Sequence, residues 1–238
     1  MRRVLFLAAV VCLAVPSGKA QDPAKVDPRH YKVEFENDQV RVIRSHYGPH
    51  EKGAMHEHPA NVGVLLTDFH AKLTTPDGKT EDVHRKAGEA GWSAGVKHQG
   101  ENLSDKPLEL IQAELKGNPT ATQPGGTQSA LDPTKVDPKH HKVEFENDQV
   151  RVLRMHVGPK ETSPMHEHPP SVAVWLTDAR NKVTLADGKT EERPHKAGSV
   201  GYRQAEKHVV ENLTDKDFEA IIIELKAKPA AAKPPAAK

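Results

Sequence analysis

His56 and His58 are separated by one residue, and the same His-x-His pair returns as His166 and His168. On a β-strand, residues two apart project from one face, so each pair presents two imidazoles side by side while Glu57 points away. A third imidazole from another strand, His98 with the first pair and His208 with the second, completes a three-nitrogen set. Neutral imidazole is a good ligand for Zn, Fe, Cu and Ni, and three protein ligands leave positions open for water or substrate. Taken alone, a His-x-His pair fits two exposed strand histidines equally well.

The pairs belong to a duplication. Lys25-Val-Asp-Pro28 returns as Lys135-Val-Asp-Pro138, and Lys32 through Val42 returns as Lys142 through Val152. The offset of 110 (Lys25 to Lys135) holds without a gap to Glu114 and Glu224, with more than half of the positions identical. It also filters the 15 histidines. His30/His140, His46/His156, His56/His166, His58/His168 and His98/His208 are kept in both copies, whereas His50, His70, His84, His141 and His195 are not. The unmatched five read as solvated surface histidines, the default for polar side chains.

The elements that must position these residues have a period of two. Val33 and Phe35 alternate with Lys32 and Glu34, and Val40 and Val42 with Arg41 and Ile43, which argues for strands. Asn37-Asp38, Pro76-Asp77-Gly78 and Lys86-Ala87-Gly88-Glu89 are turn sequences. Further strands are predicted over residues 62–67, 71–74, 80–84, 91–93, 98–102 and 108–115, and no stretch has the pattern of an amphipathic helix. Seven or eight short strands per copy predict an all-β chain of two sandwich or jelly-roll barrels. The barrels are expected over residues 25–117 and 135–227, joined by a Pro/Gly/Thr/Gln-containing linker at 118–134. A tail of Ala, Lys and Pro at 228–238 has nothing to bury and is expected to be disordered.

Arg2 and Arg3, an apolar run from Val4 to Val15, and small residues before a cleavage point after Ala20 predict a secretory signal peptide at residues 1–20. The run is shorter than the roughly 20 residues of a membrane-spanning helix. A secreted or periplasmic protein follows, with no membrane contact once the signal is removed. Cys12, the single cysteine, lies inside the leader, so neither disulfides nor thiol chemistry belong to the mature chain. A net charge of +1 argues against nucleic acid as a partner. With aromatics at 4%, the core must be mostly Val, Leu and Ile.

Gly53-Ala-Met-His56-Glu-His58-Pro, followed by Gly95-Val-Lys-His98-Gln-Gly-Glu-Asn102, resembles the two sequence motifs of the cupin superfamily. The second copy does likewise through His166, His168, His208 and Asn212. The chain therefore looks like a bicupin, a pair of cupin jelly-roll barrels covering nearly all of it outside leader, linker and tail. The resemblance implies one divalent metal ion per domain (Fe, Zn, Mn, Ni or Cu), held by the matching histidines, with Asn102 and Asn212 closing the second motif. It also implies a small-molecule ligand or substrate, and a two-domain pseudo-dimeric monomer or a homo-oligomer. The family's usual Glu ligand is replaced by Val62 or Gly63 and by Val172 or Ala173, and Gly53, Ala54 and Gly95 become Ser163, Pro164 and Ala205 in the second copy. Loss of the Glu weakens the likeness to manganese oxalate-degrading bicupins and leaves a set more like the Fe(II) dioxygenase branches.

Arg44/Arg154 and His46/His156 share a strand face with Val40 and Val42 and are candidates for polar residues in the barrel pocket, the alternative for Arg44 being an ion pair, for instance with Glu114. Trp92 and Tyr202 are expected to line the barrels, and the sequons at Asn102 and Asn212 coincide with the second motif and read as structural. No nucleotide-binding glycine loop and no nucleophile–base motif is present, so any chemistry is metal chemistry. Two functional classes follow: an exported metal enzyme of oxygenase or isomerase type acting on a small organic molecule, or a non-catalytic periplasmic binder of a metal or small ligand.

Overall fold

The computed structural model describes residues 21–117 and 129–226. The leader at 1–20, the tail at 228–238 and residues 118–128 of the linker lie outside the described residues. Each copy begins with one helical turn, α1 (Pro23–Val26) and α2 (Pro133–Val136). Asp22 and Asp132 cap these turns by accepting from the backbone N–H of Ala24 and Thr134, and proline fills the first helical position, where no amide hydrogen is needed. Turns this short have no periodicity to read. Asp132 also pairs with Arg151, so residues before the expected start of the second unit at 135 are already seated on its barrel.

Every other regular element among the described residues is a strand. The first copy contains β1 (Tyr31–Glu36), β2 (Val40–Tyr47), β3 (His56–His58), β4 (Asn61–Leu65), β5 (Phe69–Thr74), β6 (Thr80–Arg85), β7 (Ala90–Ser93), β8 (Val96–Asn102) and β9 (Leu108–Leu115). The second repeats them as β10 (His141–Glu146), β11 (Val150–Val157), β12 (Thr162–His168), β13 (Ser171–Trp175), β14 (Ala179–Leu185), β15 (Thr190–His195), β16 (Val200–Arg203), β17 (Glu206–Asn212) and β18 (Phe218–Leu225). Each copy folds into a five-stranded sheet, β1-β2-β9-β4-β7 or β10-β11-β18-β13-β16, against a four-stranded one, β3-β8-β5-β6 or β12-β17-β14-β15. These are two jelly-roll barrels.

The five-stranded sheets are buried on both faces. Along β9, Leu108, Gln112 and Glu114 face the interior of their own barrel, while Ile111 and Ala113 face the sister barrel. Val40, Val42, Val62, Val64, Ile111 and Ala113 form one apolar cluster with Val150, Val152, Val172, Val174, Ile221 and Ile223, all fully buried. The two barrels therefore share a core.

That arrangement corrects three expectations. Arg44 and Arg154 do lie on the face of Val40 and Val42, but this face meets the other barrel and not the pocket. Arg44 Nη2 donates to the Gly198 carbonyl at 2.6 Å and Arg154 Nη2 to the Gly88 carbonyl at 2.7 Å, a reciprocal pair of clasps between barrels. Each arginine also pairs with two carboxylates, Glu34 and Glu109 for Arg44 and Glu144 and Glu219 for Arg154; Glu114 is not among them. His46 and His156, farther along the same face, are exposed, and His156 pairs with Asp217. Trp92 and Tyr202 pack on the shared core instead of lining a barrel, and Tyr202 donates to Gln39 Oε1 of the first barrel at 2.6 Å.

Trp92 and Trp175, the only tryptophans, sit one in each copy. Because the core is shared, Trp92→Phe and Trp175→Phe variants are expected to report superimposable urea transitions by fluorescence. Ile221→Ala should lower stability by about 2–5 kcal/mol and shift both reporters together. Two separated transitions would show that the barrels unfold independently.

Candidate metal centre

In the first barrel β3 pairs with β8 so that His56 lies directly opposite His98. His56 Nδ1 donates to the Ala54 carbonyl at 2.8 Å, and His58 Nδ1 donates to the buried carboxylate of Glu114 at 2.7 Å. Each acceptor fixes the tautomer of its imidazole and leaves Nε2 as the unprotonated nitrogen, able to accept a hydrogen bond or bind an ion. These two Nε2 atoms point at each other across 3.0 Å. Lone pair against lone pair at that distance is repulsive, whereas two ligands at about 2.0–2.1 Å from one ion stand about 2.9–3.4 Å apart. His98 completes the trio, its ring centroid 4.6 Å from that of His56 and 5.5 Å from that of His58, and its buried Nδ1 has no hydrogen-bond partner among the described residues. The nitrogen set and its spacing fit a divalent ion.

Tyr31, which the sequence did not single out, also reaches the centre. Its hydroxyl accepts from Tyr47 Oη at 2.9 Å and donates to His56 Nε2 at 3.0 Å. Burial raises its pKa well above the usual tyrosine value, so it remains a donor. The Gln112 amide approaches His58 Nε2 at 3.4 Å.

The second barrel repeats the frame with different fittings. His166 again faces His208 across the ladder; its Nδ1 donates to the Pro164 carbonyl at 2.7 Å, and His168 Nδ1 donates to Glu224 at 2.7 Å. His208 Nδ1 bonds Glu206 at 2.6 Å, and Arg193 grips that carboxylate through two nitrogens at 2.8 Å each. The position of Tyr31 is taken by His141. That residue, unmatched in the repeat and expected at the surface, is buried, with donor atoms clustered with those of His166 and His168. The sequence could have flagged it, because it starts a strand whose partner residue in the first copy is aromatic.

Burial pushes the His56 imidazole down to about 4, His98 to about 3 and His166 to about 2, with repulsion between neighbouring imidazoles adding to it. His168 is lowered for the same leading reason. Burial alone would raise the Glu224 carboxyl, but bonds from His168 and Arg151 outweigh it and hold it below the usual range. His56, His98, His166 and His168 are thus held as neutral imidazoles, and a buried carboxylate, Glu114 or Glu224, backs His58 and His168. From the sequence Glu114 was expected only as a partner for Arg44, and neither Glu114 nor Glu224 was placed behind the His-x-His pairs, though a carboxylate near the end of the apolar strands Leu108–Leu115 and Phe218–Leu225 at matched positions was a usable signal.

The remaining site expectations sort plainly. Asn102 Nδ2 donates to the carbonyls of Gly48 and Lys106 while its Oδ1 accepts from Ser104, and Asn212 makes the equivalent bonds to Gly158, Lys216 and Thr214. His30 and His140 are buried braces against Asp27 and Asp137. Of the other unmatched histidines, His195 stacks on Trp175 at 3.8 Å and is only partly buried, while His50 is exposed. His70 and His84 stack on the outer face of β5 and β6 with Asp82 Oδ1 at 3.2 and 3.3 Å, an exterior cluster replaced in the second copy by the Arg180–Glu192 ion pair.

A cavity of about 110 Å³ adjoins the first centre, lined by Tyr31, Phe69, Leu73, His98 and Leu110 among others. One of about 60 Å³ adjoins the second, where Trp175, Arg193, Arg203 and His208 contribute. Since one water needs roughly 10–15 Å³, the first has room for roughly 7–11 non-hydrogen atoms and the second for roughly 4–6.

No family model matches the chain, and no curated protein matches it. Among solved structures, AerE from Microcystis aeruginosa aligns over 87% of this chain and 97% of its own with 16% identity and a TM-score of 0.59. A variant of the oxalate decarboxylase of Bacillus subtilis aligns over 84% of this chain and 73% of its own with 15% identity and a TM-score of 0.57. A cupin domain from Bordetella pertussis aligns over 37% of this chain and 92% of its own with 26% identity and a TM-score of 0.35. The two-barrel likenesses show the fold.

Two outcomes follow from the geometry. Histidines whose folded pKa is depressed below 6.5 leave the unfolded chain to take up protons first, so stability is full above about pH 6.5 and is lost as pH falls toward the folded values of about 4 to 2. The melting temperature of metal-free protein should be level from about pH 7 to 8 and fall steadily from about 6.5 to 4; a flat profile there would contradict the burial of neutral imidazoles. Glu114→Gln and Glu224→Gln should each weaken metal binding in their own barrel about 10–100-fold in competition titrations, because the amide no longer enforces one tautomer.

Proposed function

We propose that this chain, which has the tandem-cupin fold, is an exported protein that holds one divalent metal ion in each barrel and acts on a small organic molecule as a metal-dependent oxygenase- or isomerase-type enzyme. The observation that supports this most is the pair of Nε2 lone pairs turned toward one another at 3.0 Å by fixed Nδ1 acceptors, with the Nδ1 of His98, unpartnered among the described residues, in the same cluster. A bound ion would supply Lewis-acid or oxygen-activating chemistry. Around it, Glu114 and Glu224 orient His58 and His168, and the Tyr31 hydroxyl can hold a proton beside the first centre. At the second, Arg203 and Gln204 contribute to the cavity wall and suit an anionic or polar group on the substrate.

Manganese(II) centres are a property of the Bacillus subtilis oxalate decarboxylase. In this chain Gly63 and Ala173 are the residues of β4 and β13 that face the barrel interiors where a carboxylate ligand would be needed, while Val62 and Val172 face the core shared by the barrels. All-nitrogen sets favour Fe, Zn, Ni and Cu over the more oxygen-loving Mn. The leader at residues 1–20 supports export to the periplasm or beyond, and the size of the cavities supports a small substrate.

Elemental analysis of the exported protein after reconstitution with Fe, Mn, Zn, Ni and Cu tests the reading. The wild type should hold close to two ions, and His56→Ala and His166→Ala should each lose about one. Failure of the wild type to retain any of the five metals would overturn it. Oxygen uptake by the Fe(II) form with small thiols, diketones or phenols would support the enzyme, and bound metal without turnover would identify a non-catalytic binder.

A further inference from the structure

The two centres differ in residues that touch the donor set. In the first barrel Tyr31 supplies a hydroxyl to His56 Nε2 and is itself held by Tyr47. In the second barrel three substitutions remove these donors together: Tyr31 corresponds to His141, Tyr47 to Val157 and Gln112 to Ile222. What replaces them is an imidazole with a fully buried side chain. Its ring centroid lies 4.7 Å from that of His166 and 5.6 Å from that of His168, nearly the spacing of Tyr31 to His56 and His58. Asp137 Oδ2 stands 3.3 Å from His141 Nδ1 without aligned hydrogen-bond geometry, so both ring nitrogens of His141, and Nε2 of His166, lack hydrogen-bond partners among the described residues. His208 stands beside this set, its ring 4.6 Å from that of His166 and 5.7 Å from that of His168, but its Nδ1 is bonded to Glu206 and it lies outside the cluster of donor atoms formed by His141, His166 and His168.

We infer that His141 is a ligand of the second centre, joining His166 and His168 with the His208 imidazole at its edge, while the first remains the His56–His58–His98 centre with a phenol hydrogen-bonded at its edge. The two sites are then chemically distinct. The second prefers ions with high nitrogen affinity, Cu(II) above all, and binds them more tightly than the first. This inference rests on the metal-binding reading of the barrels.

The test uses the full chain carrying His84→Asn, which removes the exterior His70–Asp82–His84 cluster as a competing site. Cu(II) and Zn(II) alone are the probes, read by competition titration and, for copper, by electron paramagnetic resonance. The parent should show two classes of site with separate affinities and two copper signals. His141→Tyr, which installs the residue of the first copy, should weaken the tighter site at least about tenfold and abolish its distinct signal. Tyr31→His should do the reverse in the first barrel, and it keeps the test decisive if His141→Tyr fails to fold by circular dichroism. Unchanged affinity and spectrum in His141→Tyr, or an unaltered first site in Tyr31→His, overturns the assignment of His141 while leaving metal binding intact. Absence of metal from the parent protein overturns both.

Discussion

Everything in this molecule depends on the burial of each five-stranded sheet between two cores. The outward faces of β2, β4 and β9 close on those of β11, β13 and β18 through fully buried Val, Ile and Ala side chains. Hydrophobic stabilisation scales with apolar area removed from water, so this shared layer allows the barrel interiors to be partly polar. Small barrels with few aromatics and several buried histidines and carboxylates would be hard to stabilise singly. The reciprocal clasps of Arg44 on Gly198 and Arg154 on Gly88 set the register of that layer from both sides.

Inside, the limiting cost is electrostatic. A buried polar atom without a partner costs about 1–3 kcal/mol, and imidazoles crowded together cannot all take a proton. The first barrel meets this partly within itself through the Tyr47–Tyr31–His56 chain. The second leaves three imidazole nitrogens unpartnered among the described residues, all within a few ångströms of one another. A divalent cation would satisfy such a set in one step, so the geometry as well as the motif fits a metal ion.

The copies have kept the frame and diverged in what lines it. His-x-His, the third histidine, the carboxylate behind the pair and the asparagine of the β8–β9 and β17–β18 turns are matched at every position. The cavity walls are not: Val83, Ser93 and Val96 of the first copy correspond to Arg193, Arg203 and Glu206 of the second. The copies thus keep the histidine frame and vary the cavity wall beside it.

Period-two alternation, turn residues and the constant offset were enough to predict two all-β barrels, and motif spacing was enough to bring together His56, His58 and His98; in the second copy it gave His166 and His168 with His208, where the structure clusters the pair with His141. Those features are local, and strand periodicity fixes which residues share a face. What alternation cannot say is which face is which when both are buried. Val40, Val42 and Arg44 were correctly placed on one face, and only the sister barrel made that face an interface and not a pocket. His141, Glu114 and Glu224 likewise come to the centre from strands distant in sequence, so their role was decided by cross-barrel packing, where a single residue type in the chain has no meaning until the partner strand is beside it.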